Sequence, residues 1–269
     1  MATEFSGGGD PGRSIALLWG VAGASSGGAA RRGPKPRHSV DEVVAVAIQL
    51  ADAEGLSAIS MRRLAEALGI SPMSLYTYVP SKAELLDLML DRVAGEAPGP
   101  DATDGGWRGR LTKIARQRWA MAQRHPWILQ VGVHRPPLGP NVLARVEATL
   151  SAIDGLGLSE VEMDQVTSLV GDYVRGAVRA ALEAREIERQ TGMTDEQWWA
   201  MNTPLLEGLV DPARFPTTVR IGEAFKAGRM PPPDHERNFE FGLQRVLDGI
   251  ETFIAARTGE RASGRPPRG

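Results

Sequence analysis

The stretch Ser60-Met-Arg-Arg-Leu-Ala-Glu-Ala-Leu-Gly-Ile-Ser-Pro-Met-Ser-Leu-Tyr-Thr-Tyr-Val79 decides the fold of the first part of the chain. Leu64, Ala65 and Leu68 share one face of a helix that ends at Gly69, a residue able to take the left-handed conformation that closes a helix. Ser71 then caps a second, short helix with Pro72 in its first turn, where the missing amide would have had no partner anyway. Small Ala65 lets the two helices approach, and Ile70 and Leu75 plug the angle between them. The pattern is a helix-turn-helix, and it leaves Met73, Ser74, Tyr76, Thr77 and Tyr78 available to a groove.

Outward from this motif the apolar period stays helical. Val44, Ala47, Ile48 and Ala51 repeat at i, i+3, i+4, i+7, as do Val166, Leu169, Val170, Tyr173, Val174, Ala177, Val178 and Ala181. Phe239, Leu243, Val246, Leu247, Ile250, Phe253 and Ile254 form a third stripe. No segment alternates with period two between hairpin turns, so no strand is expected and the fold class is all-α. Four capping boxes mark helix starts, at Ser39 with Glu42, Ser81 with Glu84, Ser159 with Glu162 and Thr194 with Gln197. Helices are expected near 39–54, 60–67, 72–78, 81–95, 107–124, 140–155, 159–187, 194–201, 217–226 and 236–257, with 188–216 the weakest pattern.

Residues 1–38 hold Gly7-Gly8-Gly9, Gly27-Gly28 and the basic run Arg31-Arg32-Gly33-Pro34-Lys35-Pro36-Arg37, too few packable side chains for a core. They read as a flexible extension with a basic arm, and 258–269 reads as a disordered tail. Between them stand a helix-turn-helix domain over 39–85 and a larger helical domain over 86–257. The chain has no Cys, which excludes disulfide scaffolds, Cys-based zinc sites, iron–sulfur clusters and thiol nucleophiles, and fits a reducing cytoplasm. Its 31 Lys and Arg against 33 Asp and Glu exclude a globally basic surface, though a local patch remains open. No apolar run is long enough for a membrane span, and Ile15 to Ala24 lacks the basic flank and small-residue cleavage site of a secretion signal. Membrane association is therefore not expected. His38, His125, His134 and His235 lack metal-ligand spacing, and no phosphate loop, dinucleotide fingerprint or nucleophile elbow occurs. No enzyme activity, metal or cofactor is expected.

Residues 39–93 resemble the DNA-binding domain of the TetR family of bacterial one-component repressors. The resemblance is carried by Ala51-Asp-Ala-Glu-Gly55, Met61-Arg-Arg-Leu-Ala65, Leu75-Tyr76, Tyr78-Val-Pro-Ser-Lys82 and Glu84-Leu-Leu-Asp-Leu-Met89, in the family's order and spacing. It implies a double-stranded DNA operator as partner. It places Arg62, Met73, Ser74 and Thr77 at or near bases and Tyr76, Tyr78 and Lys82 on phosphates, with Ser60, Pro72 and Arg37 of the arm completing the contact surface. Thr77 and Tyr78 depart from the Trp-His of the tetracycline-repressor branch, which implies a different operator. Four of the eight cations between 31 and 93 lie in the arm, so the arm is expected to add general affinity without sequence preference. Ser14-Ile-Ala-Leu-Leu-Trp-Gly20 resembles a pre-domain segment of some members and is expected to be a docking helix.

From Trp107 onward the chain resembles the C-terminal regulatory domain of the tetracycline-repressor branch, on Arg124-His-Pro-Trp127, Arg135-Pro-Pro137, Tyr173-Val-Arg-Gly-Ala177 and Phe239-Glu-Phe-Gly-Leu243. The resemblance implies a homodimer and a small-molecule effector. Val93, Ile114, Val131, Thr149 and Ala180 stand where that branch holds drug and magnesium with polar side chains, which argues against a tetracycline–magnesium inducer. An apolar or aromatic effector is expected instead, against Trp119, Met121, Trp127, Met163, Tyr173 and Trp198, with His125 and His134 as polar handles. The function implied is a ligand-responsive transcriptional repressor on a palindromic operator. The alternatives are a helical ligand-binding protein without specific DNA binding, and an activator.

Overall fold

The computed structural model describes residues 4–21, 38–101, 104–132, 135–206, 208–231 and 233–262. Eleven α-helices make up most of the described chain: α1 (Pro11–Leu18), α2 (Val40–Glu54), α3 (Met61–Leu68), α4 (Pro72–Leu75), α5 (Lys82–Ala94), α6 (Gly106–Arg124), α7 (Pro140–Ile153), α8 (Glu160–Thr191), α9 (Asp195–Asn202), α10 (Pro216–Lys226) and α11 (His235–Ala262). Strands are confined to a two-residue parallel pair, β1 (Glu4–Phe5) against β2 (Val131–Gly132).

Local chemistry explains most boundaries. The boxes at Ser39, Ser159 and Thr194 close as reciprocal bonds. The box expected at Ser81 does not: its hydroxyl accepts from the Ala83 amide, while Glu84 accepts the Asp10 amide at 3.1 Å. Gly69 ends α3 with φ 65° and ψ 34°, the turn that swings the chain into α4. The second motif helix is shorter than expected, running from Pro72 to Leu75 before the chain loosens into turns.

Two hydrophobic cores result. The first joins α2, α3 and α4 to α5 through Val43, Ala47, Leu64, Leu75, Leu85 and Met89, continues to Val93, and takes in Trp127 and Val131 from beyond α6. The second packs α6, α7, α8 and α11 around Leu111, Ile153, Val170, Val174, Phe239 and Leu243. Arg108 of α6 reaches Asp248 at 2.6 Å and Glu251 at 3.1 Å on α11, and Arg116 reaches Glu240 at 2.7 Å, so ion pairs flank the α6–α11 contact.

Helix α5 is buried on nearly every side, and three of its buried residues are carboxylates, Glu84, Asp87 and Asp91. Asp91 accepts the Val142 amide at 2.9 Å and the Asn141 side-chain amide at 3.0 Å, capping the start of α7 from a neighbouring helix. Gly139 is required there, because a Cβ would lie 2.2 Å from the Asp91 carboxylate. Asp87 accepts the Gly7 amide at 3.0 Å and the Ser14 hydroxyl at 3.1 Å. Burial pushes its carboxyl above the usual range, against the pull of those two bonds.

The first residues therefore correct the expectation of a flexible extension. Within 1–38, residues 4–21 lie along α5: β1 pairs with β2, Ser6 donates to the Arg135 carbonyl at 2.6 Å, α1 packs on α5, and the Trp19 indole donates to the Leu138 carbonyl at 2.9 Å. The basic run 31–37, including Arg37, lies outside the described residues. At the other end α11 runs to Ala262, into the stretch expected to be a disordered tail. A chain lacking residues 1–21 should melt about 4 °C or more below the full chain, a loss of roughly 1–2 kcal/mol for a protein of this size; unchanged melting would show that the segment contributes no packing.

Candidate nucleic-acid interface and effector body

The helix-turn-helix presents a compact exposed face. Leu75 and Val79 are fully buried, which turns Met73, Ser74, Tyr76 and Thr77 outward; Met73 is 78% exposed and Tyr76 46%. Pro72 and Ser60 are exposed at the starts of their helices, and Ser60 caps α3 by accepting the Arg63 amide. Arg62 projects into solvent, only loosely held by Glu66 at 3.7 Å. Thr77 donates its hydroxyl to the Ser74 carbonyl at 2.6 Å, and the Ser71 and Ser74 hydroxyls pair at 2.8 Å. Two residues sit differently from a free phosphate grip. Tyr78 is half-buried against the first core, its hydroxyl accepting the His38 amide at 3.4 Å. Lys82 donates to Glu4 of the N-terminal segment at 2.7 Å.

The residues expected to line an effector pocket fall into separate places. Trp119 stacks on Phe239 with centroids 4.4 Å apart, Tyr173 lies on Phe239's ring at 6.1 Å, and Met163 packs into the same second core. The Tyr173 hydroxyl donates to the Phe239 carbonyl at 2.7 Å, an approach that Gly242 allows because a Cβ there would lie 2.2 Å from it. Trp198 is half-exposed on α9, edge-on to Trp199 at 4.9 Å, and His134 lies outside the described residues.

Met121, His125 and Trp127 correct the pocket expectation. They form the joint between the two cores. Trp127 is buried in the first core and donates its indole N–H to Asp52 of α2 at 2.7 Å. His125 is 3% exposed; Nδ1 faces Asp52 at 2.7 Å and Nε2 faces Glu96 at 3.1 Å. A carboxylate oxygen therefore faces each nitrogen of this buried ring. Met121 packs against the same core. Asp52 and Glu96 were missed by sequence reading, although one signal existed. A carboxylate near the C-terminus of α2 opposes the helix dipole, which asks for a compensating donor elsewhere.

Residues 43–89 match the family model of bacterial regulatory proteins of the tetR family, and residues 99–254 match that of the tetracyclin repressor-like C-terminal domain. The chain belongs to the TetR family. It is 45% identical over 262 residues to the HTH-type transcriptional repressor DrrR1 of Streptomyces coeruleorubidus, spanning 97% of this chain and 93% of that one. It is 26% identical over 159 residues to the class E tetracycline repressor protein of Escherichia coli, spanning 56% and 72% of the two chains. Among solved structures, apo ActR of Streptomyces coelicolor superposes with a TM-score of 0.65 at 28% identity, over 85% of this chain and all of ActR. ActR has also been solved with actinorhodin, again at a TM-score of 0.65, over 81% of this chain and 98% of that one. This TetR-family chain is thus an all-α, DNA-binding transcriptional regulator, and no described helix is long and apolar enough to cross a membrane.

Burial alone would raise the Glu96 carboxyl, but the bond and charge of His125, joined by Arg124 at 2.8 Å, hold it below the usual range. A depressed folded-state value means that its contribution is present above pH 4.5 and is lost as pH falls through the lower folded value. Melting of Glu96→Gln should accordingly fall less steeply than wild type as pH drops below 4.5. His125→Ala, which removes a buried ring bonded to carboxylates on both sides, should cost roughly 2 kcal/mol in denaturant unfolding at neutral pH. A variant within error of wild type would show that the joint carries no stability.

Proposed function

We propose that two copies of the chain form a repressor that holds a pseudo-palindromic operator and leaves it when a small aromatic molecule enters the helical body. The observation that carries this reading is the joint. Trp127 and Val131 follow α6, a helix of the effector body, yet they are packed inside the core that positions the helix-turn-helix. A ligand that displaces the end of α6 must therefore move α2 and α5 with it. A ligand preferring the displaced form shifts the population away from the DNA-competent one, and a hundredfold loss of operator affinity needs about 2.7 kcal/mol of differential binding.

The second copy is supported by the segment from α9 through α10. Among the described residues, 195–230 contributes no buried side chain, yet it carries Trp198, Trp199, Met201, Leu205, Leu209, Phe215 and Ile221 in exposed positions. Apolar surface on that scale is the mark of an interface. Leu169 on α8 and Phe241 on α11 extend it along the long helices, and two-fold pairing would set two recognition helices on successive half-sites. The aromatic class of effector is supported by the Trp119–Phe239–Tyr173 stack, and by ActR, which has been solved with actinorhodin. The DNA roles of Arg62, Met73, Ser74, Tyr76 and Thr77 rest on their exposure on one face of the motif; Ser60, Pro72, Tyr78, Lys82 and Arg37 remain proposals by position. A cytoplasmic location follows from the same reading.

Fluorescence anisotropy on DNA from upstream of the chain's own gene, at two salt concentrations with scrambled competitor, tests this reading. Binding should survive competitor as a dimer and fall at least about tenfold in Tyr76→Ala, in line with loss of a backbone-gripping contact of 1–3 kcal/mol. Equal binding of scrambled DNA at both salts, followed by failure of a genome-wide site selection, would overturn the repressor reading. Glu4→Gln releases Lys82 from its ion pair; it should tighten binding about two- to fivefold and steepen the salt dependence by about 0.9 log units per decade, one phosphate contact.

A further inference from the structure

The effector body holds two half-buried guanidinium groups that meet no acid among the described residues. Arg118 of α6 is turned toward α7 and α8, where its Nη2 donates to the Thr149 hydroxyl at 3.2 Å. Thr149 is fully buried and donates onward to the Arg145 carbonyl at 2.8 Å, so it offers Arg118 a lone pair and no charge. Arg145 of α7 makes a long bond to the Ala94 carbonyl at 3.3 Å and a contact with the Met121 sulfur at 3.6 Å. Among the described residues no carboxylate lies within ion-pairing distance of either group, whereas elsewhere Arg108, Arg116, Arg124 and Arg257 each have one. The charges felt by Arg118 are those of Arg145 and Arg175, both of its own sign. Burial first, then those two cations, push it down to about 10, and burial alone lowers Arg145. The backbone of α8 makes room for this placement: a Cβ at Gly171 would stand 3.2 Å from Arg118 Nη1.

Arg145 also lines a cleft of about 220 Å³ between the α5–α6 loop, α6 and α7, together with Gly95, Pro98, Ile114, Gln117 and Asn141. The described lining includes one cation and no acid, and its remaining side chains are small, apolar or amide. A guanidinium held among packed helices with no carboxylate beside it is costly to keep, and apolar replacement of such charges is often neutral or stabilising. A packing role does not require it.

We propose that Arg118 and Arg145 receive a planar oxyanion, a carboxylate or an acidic phenolate, of an aromatic effector whose ring system occupies the adjoining cleft. This rests on the effector reading above and deepens it: the aromatic body supplies burial, and the charge supplies specificity, because a neutral analogue leaves both guanidinium groups unanswered. The match is directional, since a guanidinium fork accepts two oxygens of a planar anion side by side.

The probes are 2-naphthoate and its neutral counterpart 2-naphthylmethanol, titrated calorimetrically into the full chain. In wild type the carboxylate should bind about tenfold or more tightly than the alcohol, and that preference should shrink to about threefold or less in Arg118→Met and in Arg145→Met. Arg118→Lys, which keeps the charge and loses the fork, should fall between. Melting without probe controls for folding: Arg118→Met should be no less stable than wild type, and naphthoate should raise the melting temperature of wild type alone. Equal binding of acid and alcohol, no binding of naphthoate to wild type, or a preference that survives both Met variants overturns the proposal. Operator binding measured on the same samples separates the two readings. If it persists while the preference fails, the anion site alone falls; if wild type binds no operator, the regulator reading falls.

Discussion

The row of buried carboxylates on α5 is the constraint on which the rest of the arrangement depends. A carboxylate removed from water must find donors or take up a proton, and here the donors come from three separate parts of the chain. Glu84 takes the Asp10 amide, Asp87 takes Gly7 and Ser14, and Asp91 takes the Val142 amide in the first turn of α7. Any relative displacement of the N-terminal segment, α5 and α7 would strand a charge, so these elements keep one geometry. Apolar contacts alone would tolerate sliding; directional bonds to buried charges do not. Helix α5 thus behaves as a stiff member shared by the two halves of the molecule, with Leu85 and Met89 anchored among the DNA-reading helices and Asp91 anchored to the effector body.

Stiffness in α5 makes sense only if something else can move it, and the joint around Asp52 supplies the second attachment. Asp52 accepts from both His125 and Trp127, so α2 is tied to the chain leaving α6 by one carboxylate with two donors. The two attachments sit at different ends of the helix-turn-helix domain, one through α5 and one through α2. On the regulator reading proposed above, movement of α6 relative to α7 would be passed to the reading head through both tethers. Polar bonds of this kind have discrete made and broken states, which suits an element with two positions better than a continuously deformable core would.

Helical periodicity and caps were legible because they are local. Ser39, Ser159 and Thr194 name their helix starts within four residues, and Gly69 names a helix end without reference to anything distant. What escaped reading was every feature decided by a partner far along the chain. Glu84 has the spacing of a capping box, but one of its oxygens accepts the Asp10 amide, 74 residues away, and the other accepts the Ser81 hydroxyl instead of the Ser81 amide. Gly7-Gly8-Gly9 has the composition of a linker, yet the sparse side chains are what let its backbone lie close to α5; a Cβ at Gly9 would come within 2.8 Å of Glu84. Met121, His125 and Trp127 carried the residue types of a pocket and the location of a joint, and no local pattern distinguishes the two. Lys82 was read for its position after a cap, and its ion pair with Glu4 depends on a segment whose docking no periodicity announced.

The places where local rules fail divide into two kinds. At Glu84, Asp87 and Asp91 the apparent violation, a carboxyl put where water is absent, is resolved within the chain by a donor at bonding distance. At Arg118 and Arg145 it is not, and at Trp198, Trp199 and Leu209 apolar surface stays exposed among the described residues. A sequence that settles the first kind with such completeness has no evident reason to leave the second, unless the missing partners are separate molecules. The unanswered charges are half-buried and small in extent, matching a ligand; the unanswered apolar surface is open and extended, matching a protein. Both lie in the effector body, while the reading head exposes Met73, Ser74, Tyr76 and Thr77 on one face. That separation is what a regulator requires: a finished surface for DNA, and an unfinished body whose completion by an outside molecule can alter how the finished surface is presented.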